Sequence, residues 1–314
     1  MKIVFLDRKS IGEDIDLAGF EKFGQVITYD YSTVEEAAER TVDADIIVLN
    51  KVPVNKDTIG NAKNLKLVCV TATGTNNLDK DYLASRKIEW RNVAGYSTEA
   101  VAQHTFALLF YLMEHLNYYD QYVKSEKYVD DKMFTHFENK FHELSGMTWG
   151  IIGLGAIGKR VAQIAQCFGA NVIYYSTSGK NHENDYKEVD FEHLLTQSDI
   201  VSIHAPLNDN TMHLIDMKAL SKMKENAILI NVGRGPIIVE KDLAQALDDD
   251  LIAGAGLDVL DIEPMSQDNP LRNIKDSNKL LITPHIAWAA VEARQRLMKI
   301  IEGQVKEYLD SVEE

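Results

Sequence analysis

The chain has little cysteine, proline or basic charge, and each shortage removes a class of protein. Its two cysteines, Cys69 and Cys167, make no disulfide framework. One falls in an apolar run and the other in a helical stretch, so both read as small core residues in a reducing compartment. Six prolines and 18 glycines leave little room for a disordered tail. Lysine and arginine number 33 against 48 aspartates and glutamates, a formal net charge of -15. A phosphate backbone or an anionic membrane would be repelled over most of such a surface. There is no signal segment and no run of ~20 apolar residues. The expectation is a cytoplasmic protein with no nucleic-acid or membrane partner and no metal.

What is present is ample core material. Of the 314 residues, 45% are hydrophobic, and at about 150 residues per domain the length predicts two domains. β-Branched runs (Ile3-Val4-Phe5, Val26-Ile27-Thr28, Ile46-Ile47-Val48-Leu49, residues 67–71 and 88–93) alternate with polar helical segments such as 33–41 and 79–86. After residue 150 the pattern repeats, with strands expected at 151–152, 172–175, 200–203, 228–230, 253–258 and 281–282. Alternation of this kind predicts open parallel sheets with helices on both faces. Between the halves, residues 98–118 carry capping residues at Ser97-Thr98-Glu99 and apolar side chains at helical spacing. Residues 119–145 are aromatic, charged and aperiodic, which is long for a connection inside a compact domain and predicts a mobile loop or an arm on another subunit. A last helix over 289–308 is long enough to return to the first unit.

The fold class expected is therefore α/β with two doubly wound units. A discontinuous substrate domain (1–98 and 287–314) carries an inserted dinucleotide domain (99–286), with the arm at 119–145. The centre of the second unit is the turn Gly153, Gly155, Gly158, which follows an apolar strand and opens a helix. In G-x-G-x-x-G the first glycine permits the turn, the second lets a pyrophosphate approach the backbone, and the third lets helix and strand pack closely. The N–H groups at the helix start then face the anion.

Ionisable residues follow the later strands, where open α/β sheets place their ligands. Arg234 stands between Gly233 and Gly235 and can present a planar fork to a carboxylate. Glu263 and His285 follow the next two strands.

Together these motifs resemble the D-isomer-specific 2-hydroxyacid dehydrogenase family over nearly the whole chain. The glycine turn, Asn231 to Gly235, Asp258 to Pro264 and Thr283 to Trp288 occur in the family's order, as do the stretches Val70 to Asn77 and Asn92 to Glu99. Asn50-Lys51-Val52-Pro53, Phe134 to Phe137 and Trp288 to Arg294 look most like the hydroxypyruvate reductase (glycerate dehydrogenase) branch. The resemblance implies reduction of a small 2-oxo acid, hydroxypyruvate or glyoxylate, by NAD(P)H, and the reverse oxidation. It gives His285 the part of general acid, Glu263 that of its hydrogen-bond partner, and Arg234 that of the carboxylate and carbonyl clamp. Lys51, Thr73, Gly74 and Thr75 complete the substrate set. Thr105, Gly153, Gly155, Ala156, Ile157, Gly158, Ser176, Thr177, His204, Ala205, Pro206, Thr211, Val232, Gly233, Asp258, His285 and Trp288 form the cofactor set, with Asp258 meeting the nicotinamide amide. The resemblance also implies a dimer, since family members are typically dimers built through the cofactor domain, which gives residues 119–145 a job.

Two features bear on the details. Ser176 stands where NAD-preferring relatives carry aspartate, so nothing repels a 2′-phosphate and NADP is favoured over NAD. The chain stops at Glu314 without a regulatory domain, which makes a phosphoglycerate dehydrogenase the weaker alternative beside a D-lactate type. A dinucleotide-sensing corepressor is the alternative of another class.

Overall fold

The computed structural model of the chain describes residues 1–180 and 185–313. Contacts divide it into two compact units, Met1–Ser97 with Trp288–Glu314, and Thr98–Ala287.

The first unit runs β1 (Lys2–Phe5), β2 (Gln25–Thr28), α1 (Val34–Arg40), β3 (Ile46–Leu49), α2 (Lys56–Ile59), β4 (Leu67–Val70), α3 (Lys80–Ser85) and β5 (Glu89–Arg91). Its strands are all parallel in the order β2-β1-β3-β4-β5, the flavodoxin-like order. All four residues of β3 and of β4 are buried, because helices cover both faces of such a sheet and leave no polar side to alternate with. Local signals set the helix starts. Thr33 accepts the Glu36 N–H while Glu36 accepts that of Thr33, a reciprocal cap on α1.

The second unit begins with α4 (Thr98–Met113) and α5 (Leu116–Lys124). It continues with β6 (Thr148–Ile152), α6 (Ala156–Cys167), β7 (Asn171–Tyr175), β8 (Lys187–Glu188), α7 (Phe191–Gln197) and β9 (Ile200–Ile203), and closes with α8 (Met217–Leu220), β10 (Ile228–Asn231), α9 (Glu240–Asp248), β11 (Gly254–Leu257) and β12 (Leu280–Ile282). The strand order is β12-β11-β10-β9-β6-β7-β8, parallel throughout. This is the doubly wound dinucleotide-type order, with its switch point between β6 and β9. A last helix, α10 (Val291–Glu313), belongs to the first unit. Ala293, Leu297, Ile301, Val305 and Tyr308 are buried along it, the one-sided stripe of a helix docked on a core. Glu314 lies outside the described residues.

Two expectations change in detail. The helix expected over 98–118 is two helices, because His115 takes a left-handed φ of 52° between them. The stretch 119–145 is not structureless throughout, since α5 occupies its start. The His136 ring stacks on Tyr122 at 3.9 Å and bonds Tyr118 Oη at 2.8 Å, and Tyr119 Oη donates to the Asn139 carbonyl. These aromatic contacts fold the segment onto α5 where apolar periodicity gives no signal.

Candidate active site

The glycine turn joins β6 to α6 at the carboxyl edge of the second sheet. A Cβ added at Gly158 would stand 2.3 Å from the Gly153 carbonyl oxygen, so this position admits only glycine, while above Gly155 a Cβ would meet nothing within 4 Å. The turn is therefore tight beneath and open above, a cradle in which a pyrophosphate can reach main-chain N–H groups. Gly155 supplies no side-chain cap to α6, which leaves the N–H groups of the first turn for an anion.

Two buried polar atoms on either side of the turn reinforce this reading. Ser176 Oγ, just past β7, and His204 Nδ1, just past β9, have no hydrogen-bond partner among the described residues. Buried polar atoms without partners are rare in folded chains, and a bound ligand, ion or water is what can complete their bonding. His204 lies against the turn, since its N–H donates to the Ile152 carbonyl at 2.8 Å and a Cβ on Gly153 would press on Ala205. Thr211 Oγ1 accepts from Asn208 N and donates to the Pro206 carbonyl, closing the loop over 204–211. Ala156 is exposed and Ile157 and Thr177 are half-buried beside the turn, whereas buried Thr105 gives its hydroxyl to the Val101 carbonyl within α4. Val232 is buried on the loop after β10, and Trp288 belongs to the first unit, where its ring meets Tyr96 edge-on. The residues around the turn fit a dinucleotide.

The ionisable residues lie beyond a registered row of strand ends. Asn231 of β10 pairs with Leu257 of β11, which pairs with Ile282 of β12. Arg234, Asp258 with Glu263, and His285 follow those three strands in turn. Buried Asn231 shapes the first loop: its Oδ1 accepts the Gly233 N–H at 3.0 Å and its Nδ2 donates to the Arg234 carbonyl at 2.9 Å. Arg234 is half-buried, with one guanidinium nitrogen donating to the Gly233 carbonyl at 2.7 Å. At Gly235 a Cβ would sit 1.9 Å from the Leu260 carbonyl carbon, so only glycine lets the arginine turn pack against the loop that carries Glu263.

The two carboxylate oxygens of Glu263 have different jobs. Its Oε1 accepts the Leu260 N–H at 2.9 Å, and its Oε2 lies 2.7 Å from His285 Nδ1. One oxygen anchors the carboxylate to its own loop and the other orients the imidazole. His285 itself has φ 55°, an uncommon conformation for a residue with a side chain. The loop is held in it by Asp258, a buried carboxylate that accepts the Ile286 and Ala287 N–H groups at 2.8 Å each and the Thr283 hydroxyl at 2.7 Å. His104 Nε2 stands 2.9 Å from Thr283 Oγ1 and 3.4 Å from Asp258. Burial pushes the Asp258 pKa up, but the bonds from His104, Thr283 and the two N–H groups outweigh burial and leave it below the ordinary carboxylate value. The family resemblance implies that Asp258 meets the nicotinamide amide; its bonds here also make it the fastener of the His285 loop.

The first unit carries the remaining expected residues on two loops at the carboxyl edge of its own sheet. Buried Asp7 accepts the N–H groups of Asn50 and Lys51 at 2.7–2.9 Å, while Asn77 Nδ2 donates to the Asn50 and Val52 carbonyls. Lys51 thus stands exposed on a braced loop. The second loop, carrying Thr73, Gly74 and Thr75, is fixed at one end by Thr73 Oγ1 on the Val93 carbonyl and Asn92 Nδ2 on the Thr73 carbonyl. Sequence reasoning overlooked Asn231, Thr283, His104 and Asp7 as organisers. Asn231 alone had a local signal, an Asx residue two before a glycine at a strand end.

Comparison with known proteins places this geometry in context. The family model described as "D-isomer specific 2-hydroxyacid dehydrogenase, NAD binding domain" matches residues 106–287. The hydroxypyruvate reductase of Blautia hydrogenotrophica is 37% identical, with 98% of this chain and 97% of the relative covered. The glycerate dehydrogenase of Methylorubrum extorquens is also 37% identical, with 98% and 96% covered. Among solved structures, an acyclic imino acid reductase in complex with NADPH and D-arginine superposes with a TM-score of 0.86 at 31% identity, over 99% of this chain and 98% of that one. Among the described residues no group of three His, Cys, Asp or Glu side chains is arranged to hold a metal, and no helix is long and apolar enough to cross a membrane.

Proposed function

The chain belongs to the D-isomer specific 2-hydroxyacid dehydrogenase family of oxidoreductases, and on that premise we propose that it reduces hydroxypyruvate or glyoxylate to the D-2-hydroxy acid with a nicotinamide dinucleotide, and runs the reverse oxidation. The observation that carries the reading is the 2.7 Å pair of His285 Nδ1 and Glu263 Oε2 on loops past adjacent strands. With Nδ1 committed to the carboxylate, Nε2 is the nitrogen that delivers a proton to the substrate oxygen. Arg234 grips the substrate carboxylate and draws on the carbonyl oxygen, orienting the acid and offsetting charge as it develops there. Lys51 and the N–H groups of residues 73–75 are the proposed additional carboxylate contacts. The dinucleotide, when bound, supplies or accepts the hydride. Main-chain N–H groups of Ala156 and Ile157 hold its pyrophosphate, and Ser176 receives the adenosine ribose without the charge that would repel a 2′-phosphate, so use of NADPH is proposed alongside NADH.

The protein is further proposed to act as a homodimer in the cytoplasm. Val129, Met133, Phe134, Phe137 and Phe141 are exposed on one segment, an apolar surface of the kind that partners cover. Light scattering gives the mass in solution, and a monomer would contradict this assembly. Cell fractionation decides the compartment, and recovery in a membrane or extracellular fraction would contradict it.

The test of function is oxidation of NADH and NADPH by the purified protein with hydroxypyruvate, glyoxylate, pyruvate and branched 2-oxo acids in turn. Turnover with the two small, polar oxo acids above the others is expected; no turnover with any 2-oxo acid would overturn the reading.

A further inference from the structure

The unpartnered nitrogen of His204 is one end of a buried chain of hydrogen bonds. Trp149 and Ser202 are fully buried, on β6 and β9. Trp149 Nε1 lies 2.8 Å from Ser202 Oγ, and Ser202 Oγ lies 3.0 Å from His204 Nε2. An indole nitrogen is a donor only. It therefore occupies one lone pair of the serine oxygen and cannot take the serine proton. The remaining neighbour of that hydroxyl among the described residues is His204 Nε2, and a buried O–H that leaves an available acceptor unused forfeits a hydrogen bond. The hydroxyl accordingly donates to Nε2, Nε2 is the unprotonated nitrogen, and the ring proton sits on Nδ1. Burial also pushes the His204 pKa down to about 3, so the ring stays neutral through the physiological range.

We propose that Trp149 and Ser202 lock His204 in its Nδ1–H tautomer, so that it offers a fixed, uncharged N–H donor to an oxygen of the dinucleotide. The ligand class follows from position and polarity. The His204 main-chain N–H donates to the carbonyl of Ile152, the residue before Gly153, at the switch point between β6 and β9, and its Nδ1 is shut off from solvent. A donor takes a hydroxyl, carbonyl or phosphate oxygen, all of which a dinucleotide carries. Being neutral, it gives no ion pair to select a 2′-phosphate, and so contributes equally to NADH and NADPH. The inference rests on the proposed dinucleotide site, and goes beyond it in fixing which nitrogen acts and what holds it. His204 is here a binding residue; Ser202 and Trp149 are positioning residues that act through it.

Two measurements separate the inference from that reading. Nitrogen-15 NMR of the ligand-free protein reports which ring nitrogen bears the proton, with no dinucleotide present. A proton on Nδ1 is expected in the unaltered protein, with mixed tautomers in Ser202→Ala and Trp149→Phe. A proton on Nε2 in the unaltered protein would overturn the proposal, whatever the chain binds. Titration of NADH and NADPH, followed by calorimetry, is expected to show both weakened roughly 5- to 10-fold in His204→Ala and more mildly in Ser202→Ala. Unchanged affinity in His204→Ala would overturn the donor role. Failure of the unaltered protein to bind either dinucleotide would instead overturn the functional reading, and the donor role with it, while leaving the tautomer result standing.

Discussion

Asp258 and His285 are joined through the main chain: the His285 N–H donates to the Asp258 carbonyl at 2.8 Å, and the Asp258 carboxylate accepts the next two N–H groups of the same loop. The histidine's left-handed backbone is thereby fixed by a residue 27 positions earlier in the chain. Replacing Asp258 by asparagine turns one acceptor into a donor facing an N–H or hydroxyl. A buried donor left unpaired costs about 1–3 kcal/mol. Thermal unfolding of Asp258→Asn is expected at a correspondingly lower midpoint, and an unchanged midpoint would show that these bonds do not hold the loop.

The same carboxylate sets an acid limit. Folding lowers the Asp258 pKa, so its charged form favours the folded state fully above the ordinary carboxylate value of ~4. That contribution is lost as pH falls through the lowered value. Between about pH 5 and about pH 2 the unfolding midpoint of the unaltered protein should fall more steeply than that of Asp258→Asn. Parallel curves would assign acid sensitivity to other carboxylates.

Arg234→Lys tests the clamp. A lysine is a point charge and cannot engage carboxylate and carbonyl with one planar fork. Steady-state kinetics should show a higher KM for the oxo acid together with a lower kcat, while dinucleotide affinity stays near normal. Unchanged KM and kcat would place Arg234 outside the site.

Ser176→Asp tests the cofactor assignment. Ser176 Oγ is buried and without a partner among the described residues, and a carboxylate there would repel a 2′-phosphate. NADPH binding should weaken ~10-fold or more, the scale of one uncompensated charge at short range, with NADH little changed. If NADPH binding is unaffected, recognition of the adenosine ribose lies elsewhere.

How much was legible in the sequence follows from how far each signal reaches along the chain. The alternation of apolar runs and helices is repeated locally at every element, and it carried the two parallel sheets and the glycine turn. Arg234, Glu263 and His285 were legible because each follows a strand end within a motif. The braces around them were not. Trp149 reaches Ser202 across 53 positions, and Asp7 reaches Asn50 across 43, and pairings of that span exist only once strands lie side by side. The break at His115 was missed for a different reason: apolar spacing runs on through the break, and it is the backbone, not the pattern, that turns.

His285 is proposed as the acid acting on the substrate oxygen, held by Glu263, with only a small part in holding the cofactor. The most direct measurement pairs turnover of hydroxypyruvate with NADH affinity in His285→Ala. Loss of the positioned acid should reduce kcat by ~100-fold or more, while the dissociation constant for NADH stays within about 3-fold, below the effect of one ordinary hydrogen bond. Near-normal turnover in that variant, or loss of NADH binding in step with turnover, would contradict the assignment.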